Sequence, residues 1–290
     1  MSIIKMLDEF TSENLTKKTS SRRELFSTFG SLGKKAAVAA VPFGLAGKSA
    51  SASTFFQQRA HEEPFRLALT LEYLEAQFYM MALESGVLEG GSREEIAFMK
   101  ISEHEDAHVA LLQAVLEEAG VNTDSPSFDF TVGGMFDPFN ENGDMETARA
   151  QVLALAQAFE DTGVRAYKGQ APMLMGTPWL EPALQIHSVE ARHASEIRRI
   201  RGLKGWITGS ERGAGMPDAT QAVYDGEDVV TQGGVDLTTL DYGDSPIVGD
   251  VTAAVTQAFD EPINSETATT IANLFIVADD NGDGEEDTEG

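Results

Sequence analysis

The stretch ALQIHSVEARHASEIRRI, residues 183–200, has the pattern of one amphipathic helix. Its apolar residues recur at the spacing that places them on one face of a helix with 3.6 residues per turn: Ala183, Ile186, Ile197 and Ile200. The same spacing puts positions 190 and 193 at the centre of that face. These positions hold Glu190 and His193, so a carboxylate and an imidazole stand where a buried face needs apolar residues.

Three further amphipathic helices show the same irregularity. We predict them at about 62–85, 92–120 and 145–168, and we expect the fourth to begin between 178 and 183 and to end near 202. Each apolar stripe carries one glutamate near its middle, and the second and fourth helices add a histidine three residues later. The set is Glu72, Glu105, His108, Glu160, Glu190 and His193.

Four carboxylates in a bundle core need compensation, because an uncompensated buried charge costs several kcal/mol. Protonation of all four is one alternative. Two divalent ions would also neutralise them, and glutamates from two helices plus two Glu-x-x-His pairs form the ligand set of dinuclear carboxylate bundles. The i, i+3 spacing places each Glu and its His on one helical face. We therefore predict that these six residues bind two divalent metal ions.

The two halves of the predicted bundle repeat one another. Tyr79 follows Glu72 by seven residues, and Tyr167 follows Glu160 by seven. This repeat predicts two similar helical hairpins around one centre. The stretch of about 24 residues between the second and third helices predicts a crossover along the bundle.

At these residues, from about 60 to 205, the chain resembles the ferritin-like superfamily, which includes ferritins, rubrerythrins and manganese catalases. LEYLEAQFYMMAL (71–83) and AFDEP (258–262) are most similar to its group that includes desiccation-related proteins. The resemblance implies an all-α ferritin-like four-helix bundle with the six ligands above, and iron favoured over manganese. Tyr79 matches the tyrosine beside the ferritin-type centre, which makes it a candidate catalytic residue. Either Fe(II) oxidation with O2 or peroxide, or catalase-like removal of H2O2, is implied.

The first 52 residues have the layout of a signal peptide. Arg22 and Arg23 precede a short apolar run at 36–47, and Ala-Ser-Ala at 50–52 resembles a cleavage site. The arginine pair resembles the twin-arginine type, so we expect export across the cytoplasmic membrane. The run is too short to span a bilayer. A basic N-terminus without this role is the alternative.

The acidic composition of the chain limits which molecules it can bind. The chain has 47 Asp and Glu against 21 Lys and Arg in 290 residues, a net charge of −26 that argues against nucleic acid and anionic lipid. The spread of acids favours adaptation to high salt over an acidic interaction surface. No cysteine is present, which excludes disulfides and thiolate metal sites.

The remaining residues divide into a bundle, 53–205, and an acidic extension, 206–290. The extension has helical patterns at about 250–260 and 265–278 and a solvated acidic tail from about 279, and we expect it to pack partly on the bundle. Its presence argues against assembly into a ferritin-type storage cage, whereas a smaller homo-oligomer remains an alternative. An enzyme acting on Fe(II), O2 or H2O2 is the first hypothesis. A non-catalytic protective or surface protein with a structural metal site is the second.

Several polar residues near the ligand stripes are not included in the predicted ligand set. Glu75 lies one position off its stripe, which predicts a place at the edge of the site or on the surface. The phase of His104 points outward, which argues against a zinc pair with His108. A surface or capping role is expected for His187. Asp106 and Glu196 could orient the ligand histidines, but solvated positions are the expectation.

Overall fold

Four long helices form the body of the protein. The computed structural model describes residues 62–141, 143–243 and 249–277. The helices are α1 (Glu62–Ser85), α2 (Arg93–Glu118), α3 (Met145–Gln170) and α4 (Leu180–Ile200). The all-α bundle predicted from the sequence is confirmed. The predicted signal peptide and the acidic tail lie outside the described residues.

The helix ends follow from local chemistry. Ser92 caps α2, because its hydroxyl accepts a hydrogen bond from the backbone N–H of Glu95 at 3.1 Å. The Glu95 carboxylate accepts in turn from the N–H of Gly91 at 2.5 Å, one residue before the cap. Asp144 caps α3 in the same manner. α1 ends at Ser85, and the next residue, Gly86, has a φ of 75°, a left-handed conformation that glycine adopts without strain.

The helices are arranged as two hairpins. α1 packs against α2 and α3, and α4 packs against α3 and α2. The connection from α2 to α3 runs beside α1: the Tyr73 hydroxyl donates to the carbonyl of Thr123 at 2.5 Å, and the rings of Phe78 and Phe130 lie 5.4 Å apart. The predicted crossover is therefore held to the bundle by aromatic packing.

Two apolar clusters fill the two ends of the bundle. One contains Phe78, Phe98, Ile101, Val152, Phe159 and Ile197. The other contains Phe65, Leu69, Leu112, Val115, Leu116 and Leu174. The glutamates and histidines singled out in the sequence lie between these clusters along each helix. The clusters therefore fix the helix phase that turns these polar side chains inward.

The C-terminal extension covers the outer face of α3. It contains two short helices, α5 (Val251–Thr256) and α6 (Ser265–Ala272), and a two-residue antiparallel pair, β1 (Thr231–Gln232) with β2 (Val235–Asp236). α6 packs against both α1 and α3. As a result, every residue of α3 from Val152 to Tyr167 is buried, not only its predicted stripe. Among the described helices, none is both long and apolar enough to cross a membrane.

Both helices of the extension are shorter than their patterns predict. α6 ends at Ala272 because Ile276 instead pairs with Phe128 of the crossover as an antiparallel bridge. α5 ends at Thr256, before a segment whose carbonyl at Glu261 accepts a hydrogen bond from Arg165. Contacts with the bundle therefore override the local helical pattern.

Arg165 joins α3 to the extension. Its side chain is buried, and its guanidinium donates to the carbonyls of Val223, Asp225 at 2.9 Å and Glu261 at 2.8 Å. It also pairs with the buried carboxylate of Glu227 at 2.6 Å. A single side chain thus satisfies backbone groups from two separate parts of the extension.

Replacement of Arg165 by Met should destabilise the protein by about 3–5 kcal/mol, because it leaves a buried carboxylate without its partner. Urea unfolding measures the loss, and limited proteolysis should then cut the extension first. Arg93→Met is the control, since Arg93 pairs with Glu196 on the surface, and it should cost less than about 1 kcal/mol. Equal effects of the two substitutions would contradict the anchoring role of Arg165.

Candidate metal centre

The structure brings all six residues of the predicted ligand set together in the middle of the bundle. The four glutamates are fully buried, and the His193 and His108 side chains are 6% and 12% exposed. Each residue comes from the apolar stripe of its own helix. The side chains meet because the clusters at both ends hold the four stripes face to face.

The six residues form two groups of possible ligand atoms, and in each group all atoms lie within 4.8 Å of one another. One group contains Glu72, Glu105, His108 and Glu190, and the other contains Glu105, Glu160, Glu190 and His193. Glu105 and Glu190 belong to both groups. The Nδ1 atom of His108 lies 3.1 Å from Glu72 Oε2, 3.0 Å from Glu105 Oε2 and 3.0 Å from Glu190 Oε1.

The second group repeats this arrangement with the opposite oxygens. His193 Nδ1 lies 2.9 Å from Glu105 Oε1, 3.2 Å from Glu160 Oε2 and 3.3 Å from Glu190 Oε2. Glu105 and Glu190 therefore each direct one carboxylate oxygen toward His108 and the other toward His193. This is the geometry that two carboxylates need to bridge adjacent positions.

The atom separations fit a metal site better than a hydrogen-bonded cluster. Each Nδ1 atom carries at most one proton, yet it faces three carboxylate oxygens. Glu105 Oε1, Glu160 Oε2 and Glu190 Oε1 are buried, and although each lies near a histidine Nδ1, none accepts a well-aligned hydrogen bond. Ligand atoms that lie ~2.1 Å from an ion at right angles are ~3.0 Å from each other. The buried carboxylate and histidine groups could thus hold metal.

Two tyrosines hold the outer oxygens of the other two glutamates. The Tyr79 hydroxyl of α1 donates to Glu160 Oε1 on α3, and the Tyr167 hydroxyl of α3 donates to Glu72 Oε1 on α1. Burial raises the pKa of both tyrosines well above the usual value, so both remain protonated donors. The two contacts are equivalent under exchange of α1 and α3, which agrees with the repeated spacing of Glu and Tyr in the sequence.

His104 lies beside the centre, contrary to the prediction that it points outward. It is half-buried, and its Nδ1 lies 2.9 Å from Nε2 of His193. The rings are stacked, with an interplanar angle of 14°. His104 therefore orients the ring whose other nitrogen faces the glutamates. Its i, i+4 relation to His108 was the available signal, because this spacing keeps it near the same helical face.

Three other polar residues near the ligand stripes lie outside the two ligand groups. Glu196 pairs with Arg93 at 2.8 Å, and Asp106 is exposed, as expected for solvated positions. His187 is half-buried one turn before Glu190. None of the three belongs to the two groups of possible ligand atoms.

Glu75 is a fifth buried glutamate within the four-helix bundle, so its predicted alternative place on the surface is wrong. It is 2% exposed and belongs to neither ligand group. A Cβ atom at Gly163 would lie 3.3 Å from Glu75 Oε1 and 3.4 Å from Glu190 Cγ. The missing side chain at 163 therefore makes room for this carboxyl group. A glycine in a buried helical stripe was the sequence signal for such a close approach.

Without metal, the charges in the centre are balanced by protons. Burial raises the pKa of Glu105 to about 7 and that of Glu160 to about 8, and it also raises the pKa values of Glu72 and Glu75. Burial acts against the charged form of Glu190 as well, but the close contacts with His108 and His193 outweigh it and lower its pKa to about 2. The same contacts raise the pKa of both histidines despite their burial.

The metal-free protein should lose stability as the pH rises from about 5 to about 8. In the folded state Glu105 and Glu160 keep protons that the unfolded chain releases near pH 4.5. The native state then binds more protons, and each additional proton costs about 1.4 kcal/mol per pH unit. Glu190 has the opposite effect only between about pH 2 and 4.5, outside this window.

Thermal melts in the presence of a chelator, recorded across this pH range, measure how stability changes with pH. The double variant Glu105→Gln, Glu160→Gln should reduce this decrease in stability with pH, because two of the groups that keep extra protons in the folded state are gone. Metal-loaded protein should instead gain stability with rising pH, since protons compete with metal for the same atoms. A metal-free melting temperature that rises across the window would contradict the assignment.

Comparison with protein families supports the same interpretation. The family model described as ferritin-like domain matches residues 62–203, from the first residue of α1 to just beyond α4. This range contains all six residues of the two ligand groups. Comparison with curated proteins gave no significant match. Residues 62–203 of this chain thus match a ferritin-like domain over the whole four-helix bundle.

Proposed function

We propose that the protein is an exported dinuclear metalloprotein that oxidises Fe(II) or removes peroxide under oxidative or desiccation stress. The observation that carries this proposal is the sharing of Glu105 and Glu190 between two histidines. Two divalent ions would balance the four carboxylates without protons. Iron is favoured over manganese, because Fe²⁺ binds a given site of oxygen and nitrogen ligands more tightly than Mn²⁺ does.

When bound, the two ions would supply one-electron redox chemistry at adjacent positions. The overall reaction balances with Fe(II) as substrate: two Fe(II) ions give two electrons, and with two protons these convert one H2O2 to two waters. Four Fe(II) ions and four protons convert one O2 to two waters. A dimanganese centre would instead remove peroxide without Fe(II).

The protein's own residues hold the centre in place. Tyr79 and Tyr167 fix the rotation of Glu160 and Glu72 by donating to their outer oxygens. His104 fixes the ring of His193. The apolar clusters at both ends of the bundle keep bulk water away from the carboxylates. A rigid ligand set of this kind needs little reorganisation when charge changes in the centre.

A structural metal site in a non-catalytic protective protein is the second candidate. The complete burial of all four carboxylates favours it, because a metal there stabilises the fold whether or not a substrate reaches it. The two candidates differ in what happens after loading. Both predict two bound ions, and only the first predicts turnover.

The proposal that the protein is exported rests on the arrangement of the first 52 residues. The arginine pair, the short apolar run and the Ala-Ser-Ala sequence occur in the order of a twin-arginine signal peptide. A chain without cysteine needs no oxidative folding after export. A route for folded proteins would allow metal loading before export.

Glu190→Ala should abolish binding of at least one ion, because Glu190 contributes an oxygen to both ligand groups. Elemental analysis and calorimetric titration measure the stoichiometry. Wild-type protein should gain about 2.7 kcal/mol of stability at free metal ~100-fold above Kd, and the variant should gain less. Glu89→Ala, at an exposed position between α1 and α2, is the control. Two ions bound with unchanged affinity to Glu190→Ala would contradict the ligand assignment.

Tyr79→Phe should keep both ions but slow Fe(II) oxidation or peroxide removal by about tenfold to a hundredfold, because the Glu160 carboxylate loses its positioning hydrogen bond. Stopped-flow absorbance and oxygen-electrode assays measure the rates. Tyr73→Phe is the control, since its hydroxyl binds the carbonyl of Thr123 away from the centre. Wild-type protein that holds two ions and turns over neither substrate would favour the structural candidate.

Joint replacement of Arg22 and Arg23 by Lys should leave precursor inside the cell, because twin-arginine export depends on that pair. Cell fractionation with an antibody against the protein measures the distribution. Replacement of Lys17 and Lys18 by Arg is the control and should not change secretion. Unchanged export of the Arg22→Lys, Arg23→Lys variant would contradict the assignment.

A further inference from the structure

A partly enclosed apolar pocket lies at the end of the bundle where α1 and α4 begin and α2 and α3 end. Its walls include Ala68 and Leu71 of α1, Leu112 of α2, Tyr167 of α3, and Ala183 and Ile186 of α4. Tyr167, Gln170 and Trp179 are the residues with polar side-chain atoms among those that line it. The pocket is therefore formed by all four helices that supply the metal-centre residues.

The inner wall of this pocket is one helical turn from the centre on three helices. Ala68 precedes Glu72 by four residues, Leu112 follows His108 by four, and Ile186 precedes Glu190 by four. Four residues correspond to about one turn, or about 5–6 Å along a helix axis. Tyr167 makes the connection direct, because its ring lines the pocket while its hydroxyl donates to Glu72.

The size and polarity of the pocket limit what it can bind. The space between the side chains holds only about two or three water-sized molecules. A long-chain or multi-ring substrate is too large. Water is poorly suited because it needs two to four polar partners, whereas the lining is mostly apolar and the Tyr167 hydroxyl is already committed to Glu72. A small apolar molecule fits both limits.

We propose that this pocket binds dioxygen and is its entry route to the metal centre. Dioxygen is a small apolar molecule, and it would lie one Tyr167 side chain away from a carboxylate of the first ligand group. Hydrogen peroxide is polar, and most of the residues along these walls are apolar and cannot hydrogen-bond to it. The assignment of dioxygen as a reactant rests on the proposed function, whereas the binding of a small apolar molecule does not.

Xenon tests the binding step without any metal or turnover. The full chain, labelled at Ile, Leu and Val methyl groups, is titrated with dissolved xenon and followed by NMR. The methyl resonances of Leu71, Leu112 and Ile186 should shift saturably, whereas those of Val152 and Leu155 at the other end of the bundle should not. Ala68→Phe should abolish the shifts because the ring fills the pocket.

Three further variants separate loss of xenon binding from misfolding of Ala68→Phe. Ala183→Phe fills the pocket from α4 and should have the same effect if Ala68→Phe fails to fold. Leu112→Ala enlarges the pocket and should increase xenon binding. Ala110→Phe, on an exposed position of α2, is the control and should leave the shifts unchanged. Absence of saturable shifts in wild type, or shifts in both filled variants as large as those in wild type, would overturn the proposal.

Iron-loaded protein tests the route. Ala68→Phe or Ala183→Phe should slow the reaction with O2 and leave the reaction with H2O2 at the wild-type rate. Equal slowing with both oxidants would overturn the route, because it would indicate general damage to the centre. If iron-loaded wild type reacts with neither oxidant, the proposed function fails, and the xenon titration alone decides whether the pocket binds a small apolar molecule.

Discussion

Four glutamates with complete burial impose the main constraint on this protein. Charged carboxylates in a bundle core repel one another, and burial adds a further cost of several kcal/mol for each uncompensated charge. The structure meets this constraint by converging two histidines, two tyrosine hydroxyls and a shared pair of carboxylates on one small region. Without metal, protons on Glu105, Glu160 and the histidines provide the balance. Bound metal would provide it instead.

The rest of the molecule keeps that region fixed. Apolar clusters at both ends of the bundle set the helix phases, and the extension encloses α3. Ion pairs between Arg165 and Glu227 and between Arg198 and Asp161 lie at or near the junction of α3 with its neighbours. The Tyr224 hydroxyl of the extension donates to Asp161 at 2.8 Å, which joins the extension to the α3–α4 pair. A rigid surround of this kind preserves ligand positions to within the tolerance that a metal site requires.

The bundle and the convergence of the six residues could be predicted because helical periodicity relates sequence position to direction. A polar residue in phase with Leu, Ile and Phe must point into the core, and Glu72, Glu105, Glu160 and Glu190 all satisfy this rule. The burial of residues one position away from an apolar helical stripe was harder to predict. Glu75 and His104 depend on the space beside Gly163 and on the position of His193 in another helix, and neither is visible in a single helical pattern. The burial of α3 on all sides also depends on the extension, whose contacts are not periodic.

The central claim is that two ions lie side by side and share Glu105 and Glu190. Anomalous diffraction from crystals of the manganese-loaded protein, recorded at the manganese absorption edge, tests it most directly. The account predicts two peaks inside the bundle, one among Glu72, Glu105, His108 and Glu190, and one among Glu105, Glu160, Glu190 and His193. A single peak in the bundle, or peaks only at surface carboxylates, would contradict it.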